Sequence, residues 1–312
     1  MSRARYTLCM PSQIPPVVTR LKGGLGNQLF QYSFGRLISE QLSRPLLVDA
    51  RTGFIHDPYK RKYALNLIGL EPVIANHAQS GACFLAQYLA RKKATTESLV
   101  NTPLGQVLME NQMTTQRITL DDSQTRKLIV SGLWQRVNYV DPIRPMLLHE
   151  INSSRKKSTT IDALAQLTDY ENTVVVAIRT FSESAGNHKH FLRRITGMAE
   201  RIQAVLDVLG ERDGIRNLVI VSTGNNALSN ALSWPYGKRI EAYASDPRFD
   251  ENFVFDLFRR SNHHIMLSST LYWWASYLSG TNPTSVNRWI FDDFANSDLV
   301  PDHWSRLRFD VD

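Results

Sequence analysis

The chain has 312 residues, of which 43% are hydrophobic and 21% charged, a balance that excludes a wholly disordered polypeptide. A total of 36 Lys and Arg against 29 Asp and Glu leaves a formal charge of +7, which suits an anionic ligand, nucleic acid or an acidic membrane face without choosing among them. Two cysteines, Cys9 and Cys83, exclude a disulfide framework, and no apolar run reaches the ~18 residues of a spanning helix or resembles a secretion signal, so a soluble cytoplasmic protein is expected.

Val17-Val18-Thr19-Arg20-Leu21 reads as a strand that stops at Gly23, Gly24 and Gly26. Leu29, Phe30, Phe34, Leu37, Ile38 and Leu42 then recur at helical spacing. Leu46 to Asp49 forms a second strand and Lys127 to Ser131 a later one. In the second half, Val174 to Ile178 reads as a strand buried on both faces. Ile195, Met198, Ala199, Ile202, Val205, Leu206 and Leu209 mark one face of an amphipathic helix, and Leu218 to Val221 and Ile265 to Leu267 supply two more strands. This alternation predicts an α/β protein whose parallel strands bring ligands to their carboxyl ends. The polar stretch Asn152 to Thr159 is the best linker candidate, although a surface loop would look the same. Two Rossmann-like domains are expected, residues 1–160 and 161–312, with a cleft between them and a C-terminal tail free to pack back on the first.

Three segments carry chemistry. Gly23-Gly24-Leu25-Gly26-Asn27-Gln28 follows a strand and opens a helix, where backbone amides can approach an anion and Asn27 and Gln28 can orient hydroxyl groups. It matches neither a P-loop nor a dinucleotide fingerprint, and a plain glycine turn is the competing reading. Arg179 leaves the cleanest strand at its carboxyl end, placed either to clamp a phosphate or to form an interdomain ion pair. Ser268-Ser269-Thr270 leads from another strand into a helix beginning near Leu271, which the hydroxyls can cap or from which they can hold a diphosphate. Trp273 and Trp274 read as core, and the adjacent His263 and His264 lack metal-ligand spacing.

These segments carry a resemblance. Gly23 to Tyr32 resembles the Gly-Gly-Leu-Gly-Asn-Gln-Leu/Met-Phe-Gln-Tyr block of the α-1,2-fucosyltransferases, glycosyltransferase family 11. Ser269 to Ala275 is similar to that family's Ser-Thr-Phe-Ser-Trp-Trp-Ala block, and Gly132-Leu133-Trp134-Gln135 with Tyr139 to its Gly-Tyr-Trp-Gln…Tyr landmark. The family's His-X-Arg-Arg-X-Asp is altered. Aligned on Arg179, its other positions hold Ala177, Thr180 and Ser182, with Glu183 one place beyond the acid.

The resemblance implies a GT-B-like fold and metal-independent, inverting transfer of L-fucose from GDP-fucose to a glycan hydroxyl, the 2-OH of a galactoside. No cofactor is expected beyond the donor, because the single Asp-X-Asp, Asp310-Val311-Asp312, ends the chain. Arg179 would neutralise the leaving β-phosphate together with Ser268, Ser269 and Thr270. Asp256 would pair with the guanine N1–H and amino group, against the alternative of a solvated helix carboxylate. Gly24, Gly26, Asn27 and Gln28 would face the cleft. Glu183, His188 and His190 are the candidates for a general base, and a dissociative path needing little base assistance stays open. The rivals are transfer of another nucleotide sugar and a silent relative that binds a glycan or nucleotide sugar without turnover. Basic clusters such as Arg91-Lys92-Lys93 read as solvated surface rather than a nucleic-acid site, with anionic lipid as the other partner they suit. The lack of an N-terminal anchor resembles the bacterial members, which extend surface polysaccharide repeats in the cytoplasm.

Overall fold

The computed structural model describes residues 14–93, 99–110, 126–154, 169–179, 188–222, 227–243, 246, 249–267, 269–280, 286–291 and 297–307, with the side chains of 188–196 left aside. The chain divides into two compact units that interleave in sequence. The first comprises Met1–Lys22, Gln31–Arg61 and Pro72–Trp134, and the second Gly23–Phe30, Lys62–Glu71 and Gln135–Asp312.

In the first unit, strands β1 (Val17–Arg20), β2 (Leu46–Asp49), β3 (Leu99–Thr102), β4 (Gly105–Met109) and β5 (Leu128–Ser131) form one sheet in the order β2-β1-β5-β4-β3. All pairings are parallel except the β3–β4 hairpin. Helix α1 (Leu25–Gln41) starts directly after the glycine turn, and α2 (His77–Lys93) covers the sheet. Its Cys83, Ala86 and Ala90 recur at helical spacing and meet Val18, Val107 and Ile129. Cys83 is fully buried and its thiol is pushed up to about 12 by desolvation, so it behaves as a small apolar residue.

The second unit holds α3 (Val137–Val140), α4 (Arg144–Ser154), β6 (Thr173–Ile178), α5 (His188–Glu211), β7 (Asn217–Ser222), α6 (Ala227–Ala231) and β8 (Lys238–Tyr243). It continues with α7 (Glu251–Arg260), β9 (His263–Met266), α8 (Thr270–Tyr277), β10 (Asn287–Phe291) and β11 (Ser305–Leu307). Its six strands are all parallel, in the order β11-β10-β9-β6-β7-β8. Every residue of β6 and β7 is buried, in keeping with the apolar stretches Val174–Ile178 and Leu218–Val221 of central strands with both faces covered. Ile202, Leu206 and Leu209 of α5 close one face over Val174, Val176 and Ile178. Each such side chain contributes roughly 1.5–3 kcal/mol on burial.

The expected division at residue 160 is displaced. After two earlier excursions the chain passes for good into the second unit at Gln135, and α4 packs there through Arg144. Within the second unit, the described end of the C-terminal tail joins the sheet as edge strand β11. Among the described residues, no helix is long and apolar enough to cross a membrane.

Candidate functional site

In the second sheet the chain runs outward from β6 through β7 to β8 on one side, and from β9 through β10 to β11 on the other. The divergence leaves a crevice beyond the carboxyl ends of β6 and β9, the usual ligand position in an open parallel sheet. Ala177 pairs with Met266, and the Leu267 amide donates to the Ala177 carbonyl at 3.1 Å. Arg179 and Ser269 therefore leave neighbouring strands at the same edge. Arg179 is exposed. Its charge is felt at the phenol of Tyr272, which burial pushes up to about 12 against the pull of that guanidinium.

Helix α8 starts at Thr270, with Ser269 in extended conformation as its N-cap residue (φ −142°, ψ 123°). The Ser269 hydroxyl makes no capping bond; it is buried and, among the described residues, has no hydrogen-bond partner. The expected cap is thus absent, and a donor is left at the helix start.

Gly26 presses directly on that start. A Cβ at Gly26 would lie 2.4 Å from the Thr270 carbonyl carbon, 2.5 Å from the Leu271 nitrogen and 2.5 Å from Thr270 Oγ1. One turn later, the Phe30 ring sits 4.9 Å from both Trp273 and Trp274. Contacts between 26 and 270, and then between 30 and 273–274, run in step. The first turns of α1 and α8 consequently lie side by side and point the same way. Each helix leaves its leading amides without helical partners, so two positive helix ends share one place. Both tryptophans are buried, as expected, and Trp273 Nε1 donates to the Leu299 carbonyl at 2.6 Å.

Asn27 is partly exposed, and its Oδ1 accepts from Gln135 Nε2 at 2.9 Å, joining the first motif to the end of the middle one. Gly24 is also partly exposed. Gln28 differs from expectation. It is completely buried, its Nε2 donates to the carbonyls of Gly23 (2.9 Å) and Lys62 (2.8 Å), and its Oε1 accepts from the Ala64 amide (2.9 Å). All of its amide capacity holds backbone, because residues 62–64 lack a sheet partner to satisfy them. Asp256 lies on the second turn of α7, half-buried, and its charge acts on Arg259. Glu183 and Ser268 fall outside the described residues, as do the side chains of His188 and His190.

Sequence reasoning missed how α8 is anchored. Arg144 donates to the carbonyls of Tyr277 (3.1 Å), Ser279 (3.4 Å) and Gly280 (3.1 Å). Arg288 donates to those of Ser276 (3.2 Å), Val286 (2.9 Å) and Ser279 (3.1 Å), and to Ser279 Oγ at 3.0 Å. Two buried guanidiniums thus gather at the negative end of the helix, where its dipole favours cations. Burial, with the Arg144 charge adding to it, draws Arg288 down to about 10. Beside them His264 is wholly buried, its Nδ1 2.9 Å from Ser276 Oγ and its Nε2 3.1 Å from the Ser261 carbonyl. Desolvation drives its pKa well below the usual 6.5, which keeps it neutral. Both histidines of the pair sit on β9 as part of the fold.

No family model matches the sequence. The chain is 23% identical over 301 residues to an α-1,2-colitosyltransferase of Escherichia coli, an alignment that spans 93% of this chain and 98% of the relative. Among solved structures it resembles a mutant of Arabidopsis thaliana FUT1 in complex with GDP, with a TM-score of 0.51, 14% identity, and coverage of 90% of this chain and 71% of that one. A weaker likeness, with a TM-score of 0.44 and 13% identity, links 86% of the chain to 94% of the fucosyltransferase NodZ from Bradyrhizobium. The first structural likeness is one of fold. It agrees with the expected α/β class and its two parallel-sheet units of GT-B-like type.

In the first unit the polar groups at the sheet's carboxyl edge satisfy one another. Arg20 donates to Thr52 Oγ1 (2.8 Å), the Thr52 carbonyl (2.7 Å) and Gln87 Oε1 (3.2 Å), while buried Asp49 accepts from the amides of Arg51 (3.0 Å) and Thr52 (3.1 Å). Glu110, also unforeseen, accepts from the amides of Leu133 (2.6 Å) and Trp134 (3.0 Å). That carboxylate fixes the turn in which Trp134 adopts φ 57° and stacks on Phe34 at 3.9 Å.

Proposed function

We propose that this chain is a glycosyltransferase whose donor is a GDP-sugar, with L-fucose transferred to a glycan hydroxyl, the 2-OH of a galactoside. The observation that carries this reading is the convergence, at the switch point of the second sheet, of Arg179, the unpartnered Ser269 hydroxyl and the first turns of α1 and α8. These groups suit a diphosphate, with one fixed positive charge, two helix N-termini and a buried hydroxyl donor. The relative named for α-1,2-colitosyl transfer, aligned over nearly the whole chain, supports a sugar transfer of this type.

In the inverting mechanism, an acceptor oxygen attacks the anomeric carbon from the face opposite GDP. The bond from that carbon to the phosphate oxygen breaks, and its electron pair remains on the β-phosphate. Arg179 and the helix amides neutralise the charge that develops there, and losing one such donor typically costs about 10²–10³ in rate. This protein-supplied charge makes donor binding independent of a metal ion. Asp256 is the proposed partner of the guanine edge, and Glu183 the first candidate to take the acceptor's proton.

Equilibrium binding of GDP, GDP-fucose, UDP and ADP, with and without Mg²⁺, tests the reading on the wild type and on Arg179→Ala. Metal-independent selectivity for GDP that collapses in Arg179→Ala supports it; equal affinity for UDP, or an unaffected Arg179→Ala variant, overturns it. Release of GDP in the presence of galactosides separates an active transferase from a silent binder. A second reading, transfer of a different deoxysugar, is favoured by the colitosyltransferase relative and by Ala177, Thr180 and Ser182 in place of the His, second Arg and Asp of the His-X-Arg-Arg-X-Asp block. Faster turnover of GDP-colitose than of GDP-fucose would select it.

A further inference from the structure

We infer that the outer face of α2 is a docking surface for an anionic lipid bilayer. Helix α2 buries Ser80, Cys83, Ala86, Gln87 and Ala90 against the first sheet, and the opposite side should therefore be polar. Instead Leu85 and Tyr88 stand on it, 46% and 48% exposed, with Phe84, 46% exposed, beside them on the flank where the Arg20 guanidinium lies 5.3 Å from its ring centre. This ridge leads into a last turn of Arg91, Lys92 and Lys93, all exposed. None of the helix's 17 residues is acidic.

Cations in a last turn also complement the helix dipole, but that role gives no reason for an apolar ridge beside them. The combination of aromatic and aliphatic side chains with adjacent Lys and Arg is the chemistry of insertion at a bilayer's headgroup boundary. Lys92 already lies with its ammonium 4.6 Å from the centre of the Tyr88 ring, so the ring can enter the acyl boundary while the charge remains among phosphates. At the other end of the helix, His77 contacts the Arg51 guanidinium, which extends the positive edge. A second copy of the chain fits less well. Three half-exposed side chains offer only about 250 Å², against the ~800 Å² per partner of a stable protein interface, and the basic turns would repel each other.

The test is co-sedimentation of the full chain with vesicles of phosphatidylcholine, alone or mixed with phosphatidylglycerol. Binding is expected only to the mixed vesicles and should weaken as salt is raised. Lys92→Gln with Lys93→Gln should lower partitioning about thirtyfold, and Lys92→Arg with Lys93→Arg should restore it. Leu85→Ser with Tyr88→Ser should also weaken it, with thermal unfolding unchanged because these side chains face solvent. Three results overturn the inference: no wild-type binding to the mixed vesicles, wild-type partitioning in both the Gln and Ser variants, or a dimer in sedimentation velocity that the Ser variant abolishes.

Discussion

Replacing Gly26 by alanine tests the contact on which the candidate site depends. The added methyl would stand 2.4–2.5 Å from the first residues of α8, where two of the three nearest atoms are backbone. Ordinary contact lies nearer 3.4–4 Å, so the helices must part by about 1 Å. Overpacking of this kind costs about 1–3 kcal/mol, and the better helix propensity of alanine returns up to about 1 kcal/mol. With rigid backbone as the obstacle, the net loss should be about 2 kcal/mol, a fall in Tm of roughly 4–8 °C. A shift of about 1 Å in the start of α8 should also weaken GDP binding, by up to about 10²-fold if positioning is the dominant effect. Gly81 supplies the control. It lies on α2 with nothing within 4 Å of its would-be Cβ, so Gly81→Ala should raise Tm slightly. Calorimetric unfolding and GDP titration of both variants decide the matter. If Gly26→Ala unfolds and binds GDP like the wild type, α1 and α8 do not meet as described, and the site built on their first turns fails with them.

Ser269→Ala should separate stability from binding. Removing a buried, unpartnered hydroxyl should leave Tm unchanged or raise it, while GDP affinity falls about tenfold or more through loss of a bond to a charged phosphate; a lower Tm with intact binding would contradict this. Gln28→Ala strands two carbonyls and one amide, and should destabilise by about 2–4 kcal/mol in urea unfolding. Stability near wild type would return Gln28 to the list of ligand-facing residues. His264 should make stability depend on pH. Its native pKa is depressed, so below about 6.5 the unfolded chain binds the extra proton and native stability falls as pH drops. The slope should approach 1.4 kcal/mol per pH unit, and His264→Gln should flatten it in denaturant titrations at stepped pH.

Local pattern carried much of this protein into view. Val174 to Ile178 in β6 read as a strand buried on both faces because a run apolar at every position has no face to give to water. The glycine run after β1 and the apolar spacing beyond it located α1, and the tryptophan pair read as core because adjacent large aromatics on a helix point about 100° apart and need packing partners. Arg179 and Ser269 were legible as residues at strand ends, since the strand itself fixes which end they occupy. What no local pattern could supply was partnership. Gly26 and Thr270 are 244 positions apart, and only the packed fold shows that the first is glycine because the backbone of the second leaves no room. The amide of Gln28 would suit a ligand or a carbonyl equally well, and tertiary contacts gave it to carbonyls. The lasting passage into the second unit at Gln135, rather than near residue 160, was likewise visible only in the fold, where Arg144 finds its acceptors. Sequence determined the elements, through short-range sterics and the burial of apolar faces. Tertiary structure decided which polar groups were used up and which stayed available, because a hydrogen bond is satisfied only by an atom that folding brings within 3 Å or so.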